Sequence, residues 1–373
     1  MGGRRFTDEP GRGLRAAVLG GGMIGTAHAE SARRAGATVA AAVGSTSARG
    51  GVAAEATGAE RSAADIDELL REVRPDVVHV CTPNVTHPGL ARACLESGAH
   101  VICEKPLAPT AEDAVWLTEL VEASGRVCTV PFVYRFHPMA REMRARVAEG
   151  EPGVIAAVHG GYLQDWMSRA RDDNWRAQPE QAGESQTFAD IGSHWCDFLE
   201  FVLGDRIATV SAGAATTHPR RGPDARAVST EDTVTLQLRT ESALPATAVI
   251  SQVAAGRKNH MFLEVSGTDS SLRFEQETPE QLWQGTRADT RTLLRDPGTL
   301  SPQAQPYSLH PAGHPQGYQD CFDTFVADSY AAMRGNEPAD GLPTVSDGLR
   351  SVRITEAVLR SAGRDGSWVR VGQ

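Results

Sequence analysis

Between Leu14 and about Val130 the sequence alternates short apolar runs with longer amphipathic stretches. A chain satisfies this rhythm by laying parallel strands side by side with helices crossing over between them. The runs are LRAAVL (14–19), TVAAAV (38–43), DVVHVC (76–81), HVICEK (100–105) and VCTVPF (127–132). Between them lie helix-like segments such as DIDELLREV (65–73) and GLARACLESG (89–98), the latter ending on a glycine suited to close a helix. The expected architecture of this part is a doubly wound α/β sheet.

After Pro138 the rhythm changes. REMRARVAEG reads as a helix and leads into GVIAAVHGGYLQ. Strand-like stretches then recur in ATVSAGAAT, TVTLQLRT, ATAVISQVA and MFLEVSG, joined by turn-rich connections, which predicts a largely antiparallel sheet in an α+β domain. A Pro- and Gln-rich stretch near 297–317 reads as a long loop. GYQDCFDTFVADSYAAMRG and VSDGLRSVRITEAVLRSA read as closing helices that could pack back on the first domain. A length of 373 residues suits roughly two domains. The expected division is a disordered tail at 1–13, a dinucleotide-binding domain at 14–135 and a second domain at 136–373.

Composition narrows the partners. A net charge of −10 without a long basic block argues against nucleic acid, because phosphate binding needs clustered Lys and Arg. No run approaches the roughly 18 apolar residues of a membrane span. The segment MGGRRFTDEPGRG has no apolar stretch behind its arginines, unlike a secretory signal. Six scattered cysteines without a CxxC pair suggest neither a disulfide framework nor a zinc site, and reduced thiols fit the cytoplasm.

Four short segments carry candidate chemistry. LGGGMIG places Gly20, Gly22 and Gly25 directly after the first apolar run and at the mouth of a helix, where glycines allow a tight turn and close approach of backbone to a pyrophosphate. The same glycines alone would also make an ordinary turn. At the end of the second run, where a carboxylate would favour a free ribose 2′-hydroxyl, the chain instead carries Ser45, Thr46, Ser47 and Arg49. That set leans toward the 2′-phosphate of NADP, while the polar turn also admits NAD.

CTPNVTHP and ICEKPL follow the next two runs and should open at the C-terminal ends of parallel strands, where such sheets bind ligands. Lys105 there is either a functional lysine, tuned by desolvation or by a neighbouring cofactor charge, or one that snorkels to solvent. In FADIGSHWCDFLEFVLG the spacing of Ile191, Trp195, Phe198, Leu199 and Val202 predicts a helix, making Asp190 and His194 neighbours at i and i+4. They would form an acid/base unit or a structural pair. No set of residues has convincing metal-ligand spacing.

GGGMIG, CTPNVTH, CEKP and DIGSH, in this order and over nearly the whole chain, resemble the glucose-fructose oxidoreductase/inositol dehydrogenase/MocA (Gfo/Idh/MocA) family. The resemblance implies a Rossmann domain followed by a substrate-binding domain with a large open sheet used for oligomerisation, hence a homodimer or homotetramer. It makes Lys105, Asp190 and His194 the catalytic set. Cofactor contacts would come from Gly20, Gly22, Met23, Ile24, Gly25, the Ser45–Arg49 segment, Thr82, Pro83, Asn84, His87, Glu104 and Lys105. YLQDWM, DDNWR and HPAGHPQGY resemble segments of the family's sugar dehydrogenases. They point to Gln164, Trp166, Trp175, Arg176 and His314 as substrate contacts, together with Tyr134, Asp190 and His194.

The implied reaction is NAD(P)-dependent hydride transfer, leaning to NADP, at a secondary hydroxyl or ketone of a sugar, glycoside or cyclitol. His194 would be the general base, Lys105 the stabiliser of alkoxide charge, and Asp190 the group that orients His194 or the sugar. Competing readings are an NADPH-dependent keto-sugar reductase and a cofactor-binding regulator without catalysis. AGESQ (Ala182 to Gln186) stands where the family commonly has a double glycine, leaving the entry to the DIGSH helix open.

Overall fold

The computed structural model describes residues 13–372, so the expected tail at 1–13 lies, apart from Gly13, outside the described residues. The chain divides into two units. The first reaches to Pro131 and takes in Cys321–Leu349; the second comprises Phe132–Asp320 and the residues from Arg350 onward.

In the first unit six parallel strands form one sheet: β1 (Arg15–Leu19), β2 (Thr38–Val43), β3 (Ser62–Ala63), β4 (Val77–Val80), β5 (His100–Cys103) and β6 (Cys128–Thr129). Their spatial order is β3-β2-β1-β4-β5-β6, the doubly wound arrangement whose order reverses between β1 and β4. β4 and β5 are buried at every residue, which is why they read as unbroken apolar runs. The register sets the ends level: Leu19 pairs with Val43 and with Val80, and Val80 pairs with Cys103. The loops after β1, β2, β4 and β5 therefore leave from one rim.

Helices Met23–Arg34, Ser47–Thr57, His87–Glu96 and Ala111–Ser124 follow β1, β2, β4 and β5. The stretch at 65–73, expected as one helix, is a single turn at Ile66–Glu68 continued by a wider turn over Leu69–Val73, and Arg74 ends it with a left-handed φ of 50°. Cys321–Leu349 joins this unit through specific bonds. Val130 N donates to the Pro343 carbonyl at 3.2 Å, and the Ser31 hydroxyl donates to Asp323 at 2.7 Å.

The second unit is built on a nine-stranded sheet. Its strands are β7 (Ile155–Leu163), β8 (Ile207–Ala215), β11 (Thr233–Thr240), β12 (Pro245–Ser251), β13 (His260–Gly267), β14 (Ser270–Glu275), β15 (Gln281–Thr286), β16 (Thr290–Leu294) and β17 (Val369–Arg370). Between β8 and β11 the chain makes a separate hairpin, β9 (Arg220–Arg221) with β10 (Arg226–Ala227). The sheet order is β16-β15-β14-β13-β7-β12-β11-β8-β17, and every pair is antiparallel except β12 with β7.

β11 and β12 alternate between buried and exposed residues over most of their length, as expected for a sheet with one face on a core. That core contains Phe188, Trp195, Phe198, Leu199, Leu236, Ile250, Leu263 and Phe274, and includes residues of helices Pro138–Ala148 and Ser193–Leu203. Gly160 on β7 makes one packing feature possible. A Cβ there would lie 2.6 Å from the Trp195 indole nitrogen, which donates to the Phe262 carbonyl at 2.9 Å.

The stretch at 297–317 is a loop with a short turn at Gln305–Tyr307, fastened by one arginine. The Arg295 side chain, fully buried, pairs with Glu280 at 2.8 Å and donates to the carbonyls of His310 at 2.7 Å and His314 at 2.6 Å.

Burial also sets how stability responds to acid. His79, His87, His100 and His137 are all held below the ordinary imidazole value of 6.5, in each case chiefly by desolvation, with His100 and His137 lowered to about 4. Below about pH 6.5 the unfolded chain takes up protons on these rings that the native chain does not, so stability falls with pH through the window from roughly 6.5 to 4. Urea unfolding measured across that window should show a midpoint that drops steadily as pH is lowered; a flat midpoint would show that these rings titrate normally in the native state.

Candidate active site

The first rim is shaped by glycines. Gly20 has φ of +102°, and a Cβ there would sit 2.5 Å from the Cys81 carbonyl oxygen. A Cβ on Gly25 would lie 1.9 Å from the Gly20 oxygen, so this residue lets the helix start against the turn. Gly22 is different: a Cβ there would meet nothing within 4 Å. The helix Met23–Arg34 begins at that open point with no side-chain cap and no acidic residue in its first turn; Met23 is exposed and Ile24 half-buried. An uncapped helix N-terminus with an approachable backbone fits a pyrophosphate.

At the end of β2, Ser45, Thr46 and Arg49 are exposed, the next helix starts without a side-chain cap, and its first turn holds no acid. The Ser47 side chain lies outside the described residues.

The loops after β4 and β5 are tied together by His87, which is fully buried. Its Nδ1 faces the Pro106 carbonyl and its Nε2 the Thr82 carbonyl, both at 2.8 Å. Burial pushes this imidazole down while the two carbonyls oppose the shift. Pro83 is half-buried and Asn84 buried in the same loop. Glu104 is buried, one carboxylate oxygen taking the Lys105 N–H at 3.1 Å and the other lying 3.0 Å from His28 Nε2; Lys105 itself is half-buried.

In the second unit, three polar side chains close a ring of hydrogen bonds. The Tyr134 and Tyr162 hydroxyls lie 2.5 Å apart, Tyr162 donates to Asn259 Oδ1 at 2.6 Å, and Asn259 Nδ2 donates to the Tyr134 hydroxyl at 3.2 Å. Gln164 Nε2 adds to the same Asn259 oxygen at 2.9 Å, and Trp166 Nε1 donates to Gln164 at 2.7 Å. The His194 ring stands edge-on to Tyr134 and Phe132, with centroids at 5.2 and 5.8 Å. Tyr162 is pushed well above the usual phenol range, first by burial, then by Tyr134, with smaller contributions from Tyr318 and Asp190, so it stays a donor.

Asp190 accepts from Arg176 Nε at 3.2 Å and from Gln252 Nε2 at 2.8 Å, and the Arg176 guanidinium lies 4.6 Å from the Trp175 ring centre. The expected substrate residues thus fall into one group of Tyr134, Gln164, Trp166 and His194 and another of Trp175, Arg176 and Asp190. His314 joins neither by its side chain, which is exposed; its carbonyl accepts from Arg295.

The single helix expected across the DIGSH segment is a wider turn, Phe188–Gly192, followed by the helix Ser193–Leu203, so Asp190 and His194 sit on either side of a change in winding. The entry to this turn is held by Glu231. Its buried carboxylate takes the Phe188 N–H at 2.9 Å, the Gln186 N–H at 3.3 Å and the Ser185 hydroxyl at 2.7 Å, and it is held above the ordinary carboxyl value, first by burial. This anchor serves the entry that the AGESQ stretch left open.

Glu231, Tyr162, Gln252 and Asn259 were not marked by the sequence; each lies in an ordinary-looking strand or turn, and only pairing across the sheet gives it a role. Among the described residues one ligand-type cluster occurs, His260 with Glu275 and Glu277, its donor atoms within 4.8 Å of one another. The Glu277 carboxylate there already accepts from the Lys258 and Asn259 N–H groups and lies 3.1 Å from His260 Nδ1.

Residues 14–132 match a family model described as an oxidoreductase family with an NAD-binding Rossmann fold, and residues 140–273 match the GFO/IDH/MocA C-terminal domain. The chain belongs to the Gfo/Idh/MocA oxidoreductase family. Levoglucosan dehydrogenase of Pseudarthrobacter phenanthrenivorans is 30% identical over 347 residues, covering 86% of each chain.

Among solved members, levoglucosan dehydrogenase in complex with NADH and levoglucosan superposes with a TM-score of 0.89 at 28% identity, covering 97% of this chain and 100% of that one. An inositol dehydrogenase homologue from Azotobacter vinelandii, in complex with NADH and myo-inositol, gives 0.86 at 29% identity, covering 96% and 98%.

The hydroxyl ring of this Gfo/Idh/MocA chain is open to test. Asn259→Ala leaves two buried tyrosine hydroxyls short of a partner, at a cost of about 1–3 kcal/mol. Chemical denaturation should show that loss, and an unchanged midpoint would mean the ring is not closed in solution.

Proposed function

We propose that this chain is an NAD(P)-dependent dehydrogenase acting on a secondary hydroxyl or ketone of a sugar, glycoside or cyclitol. The observation that carries the reading is the second unit's polar constellation. Fixed donors and acceptors on Tyr134, Tyr162, Asn259, Gln164 and Asp190 stand among aromatic faces at Trp166 and Trp175. A polyhydroxylated ring needs both kinds of surface. Relatives named for levoglucosan and inositol support the same class.

When bound, the nicotinamide supplies the hydride acceptor or donor. The chain's residues would handle the proton and the oxygen charge. His194, half-buried against Tyr134, would take the hydroxyl proton as general base. Lys105 would donate to the substrate oxygen and stabilise developing alkoxide. Asp190, whose carboxylate is already aimed by Arg176 and Gln252, would orient a substrate hydroxyl or the imidazole. Single-turnover measurement of Lys105→Ala with cofactor bound should show hydride transfer slowed by roughly 100-fold; an unchanged rate removes Lys105 from the reaction.

For the cofactor, exposed Ser45, Thr46 and Arg49, with no acid in the following turn, favour a ribose 2′-phosphate and hence NADP. Fluorescence titration should find that Arg49→Glu weakens NADPH binding by about tenfold and leaves NADH nearly unchanged; equal effects on both would place Arg49 away from the ribose. A cytoplasmic setting is supported by six free, buried cysteines, and no helix among the described residues is long and apolar enough to cross a membrane. A homodimer or homotetramer would use the outer face of the nine-stranded sheet, where β11 and β12 expose alternate residues.

A further inference from the structure

Behind Lys105 the first unit contains a row of buried titratable groups that hydride transfer does not itself require. The Tyr330 hydroxyl lies 2.7 Å from His79 Nε2, His79 Nδ1 lies 2.9 Å from His28 Nδ1, and His28 Nε2 lies 3.0 Å from Glu104 Oε1. Tyr330, His79 and His28 are fully buried and Glu104 is 7% exposed. The four come from a C-terminal helix, from β4, from the helix after the glycine turn and from the end of β5. The second Glu104 oxygen accepts the Lys105 N–H.

Counting protons along the row leaves one arrangement in which every donor is used. The Tyr330 O–H donates to His79 Nε2, His79 Nδ1–H donates to His28 Nδ1, and His28 Nε2–H donates to an ionised Glu104. If an extra proton entered, on His28 Nδ1 or on the Glu104 oxygen that faces His28, the contact between the two Nδ1 atoms would reverse. His79 Nε2–H would then point at the tyrosine oxygen, leaving the tyrosine proton without an acceptor among the described residues. A buried donor left unsatisfied in this way keeps its full desolvation penalty, which disfavours the reversed row.

We propose that Tyr330, His79 and His28 form a one-way hydrogen-bond relay that fixes Glu104 as an oriented carboxylate, making His28 a positioning residue for the strand end that carries Lys105. Burial acts in the same direction at both far groups, pushing His79 down and the Tyr330 phenol up. The relay also joins the helix that opens at the glycine turn to the Lys105 loop, so the two sides of the rim are held by one set of bonds. The kinetic part of this inference rests on the role proposed above for Lys105; the tautomers do not.

Nitrogen-15 NMR of the histidine rings in the full chain tests the relay directly. The expected result at neutral pH is His79 protonated on Nδ1 alone and His28 on Nε2 alone. Tyr330→Phe should move the His79 Nε2 signal toward that of an unbonded nitrogen and keep both tautomers. A doubly protonated His28, or His79 protonated on Nε2, overturns the relay.

In single-turnover assays His28→Gln, which can still accept from His79 and donate to Glu104, should stay within about threefold of the wild-type rate, while His28→Leu should lose at least about tenfold. Equal rates for the two variants overturn the positioning role. If His28→Leu does not fold, the NMR result decides alone. A Lys105→Ala variant with unchanged hydride transfer, beside the expected tautomers, would sink the reading of Lys105 and leave the relay standing.

Discussion

Four parallel strands of the first unit end level with one another, and this shared edge decides where chemistry can be placed. Leu19, Val43, Val80 and Cys103 stand in one register across β2, β1, β4 and β5, so the next residues of each strand emerge side by side. Strands buried on both faces have little freedom to slide, because a shift would strand apolar side chains outside the helices that cover them. Gly20 and Gly25 then allow the first helix to start hard against the rim, where any side chain on Gly25 would collide with the turn. His87 and Glu104 bind the neighbouring loops to each other and to that helix.

The second unit works by a different means. Its sheet offers a broad, half-buried frame, and its polar groups are fixed by one another at the frame's edge. Tyr134, Tyr162 and Asn259 bond to one another in a ring, which offsets much of the desolvation cost of burying them. Glu231 reaches across to start the Phe188–Gly192 turn, and Gln252, directly after β12, holds Asp190 within that turn. Polar groups held in place by one another in this way are pre-positioned, which suits recognition of a substrate rich in hydroxyls.

Much of the frame was legible in the sequence because it follows from local rhythm. LRAAVL, TVAAAV and HVICEK announce buried strands, and TVTLQLRT announces a half-buried one, each by the spacing of its own side chains. The turn glycines were legible for the same reason. Features that depend on residues far apart were not. β15 and β16 pair at the edge of the second sheet, and the polar, partly exposed QLWQGT and TRTLL segments gave no clear apolar signal. The start of the Phe188–Gly192 turn is anchored by Glu231, about forty residues downstream, and the row from Tyr330 to Glu104 spans most of the chain; no spacing encodes either. His314 is a different case: its segment stood out in the sequence, and in the fold its side chain is exposed while its carbonyl accepts from the buried Arg295.

Everything proposed for the site turns on a nicotinamide held by the first unit exchanging hydride with a carbinol carbon of a polyhydroxylated ring. The most direct measurement mixes the full chain with each oxidised cofactor and a panel of cyclic polyols and sugars. The near-ultraviolet band of the reduced nicotinamide is followed, and each active compound is repeated with deuterium on its ring carbinol carbons. The expected result is reduction of the nicotinamide by at least one member of the panel, with transfer of the deuterium to the cofactor. Cofactor binding with no reduction across the panel, or reduction without deuterium transfer, would contradict it.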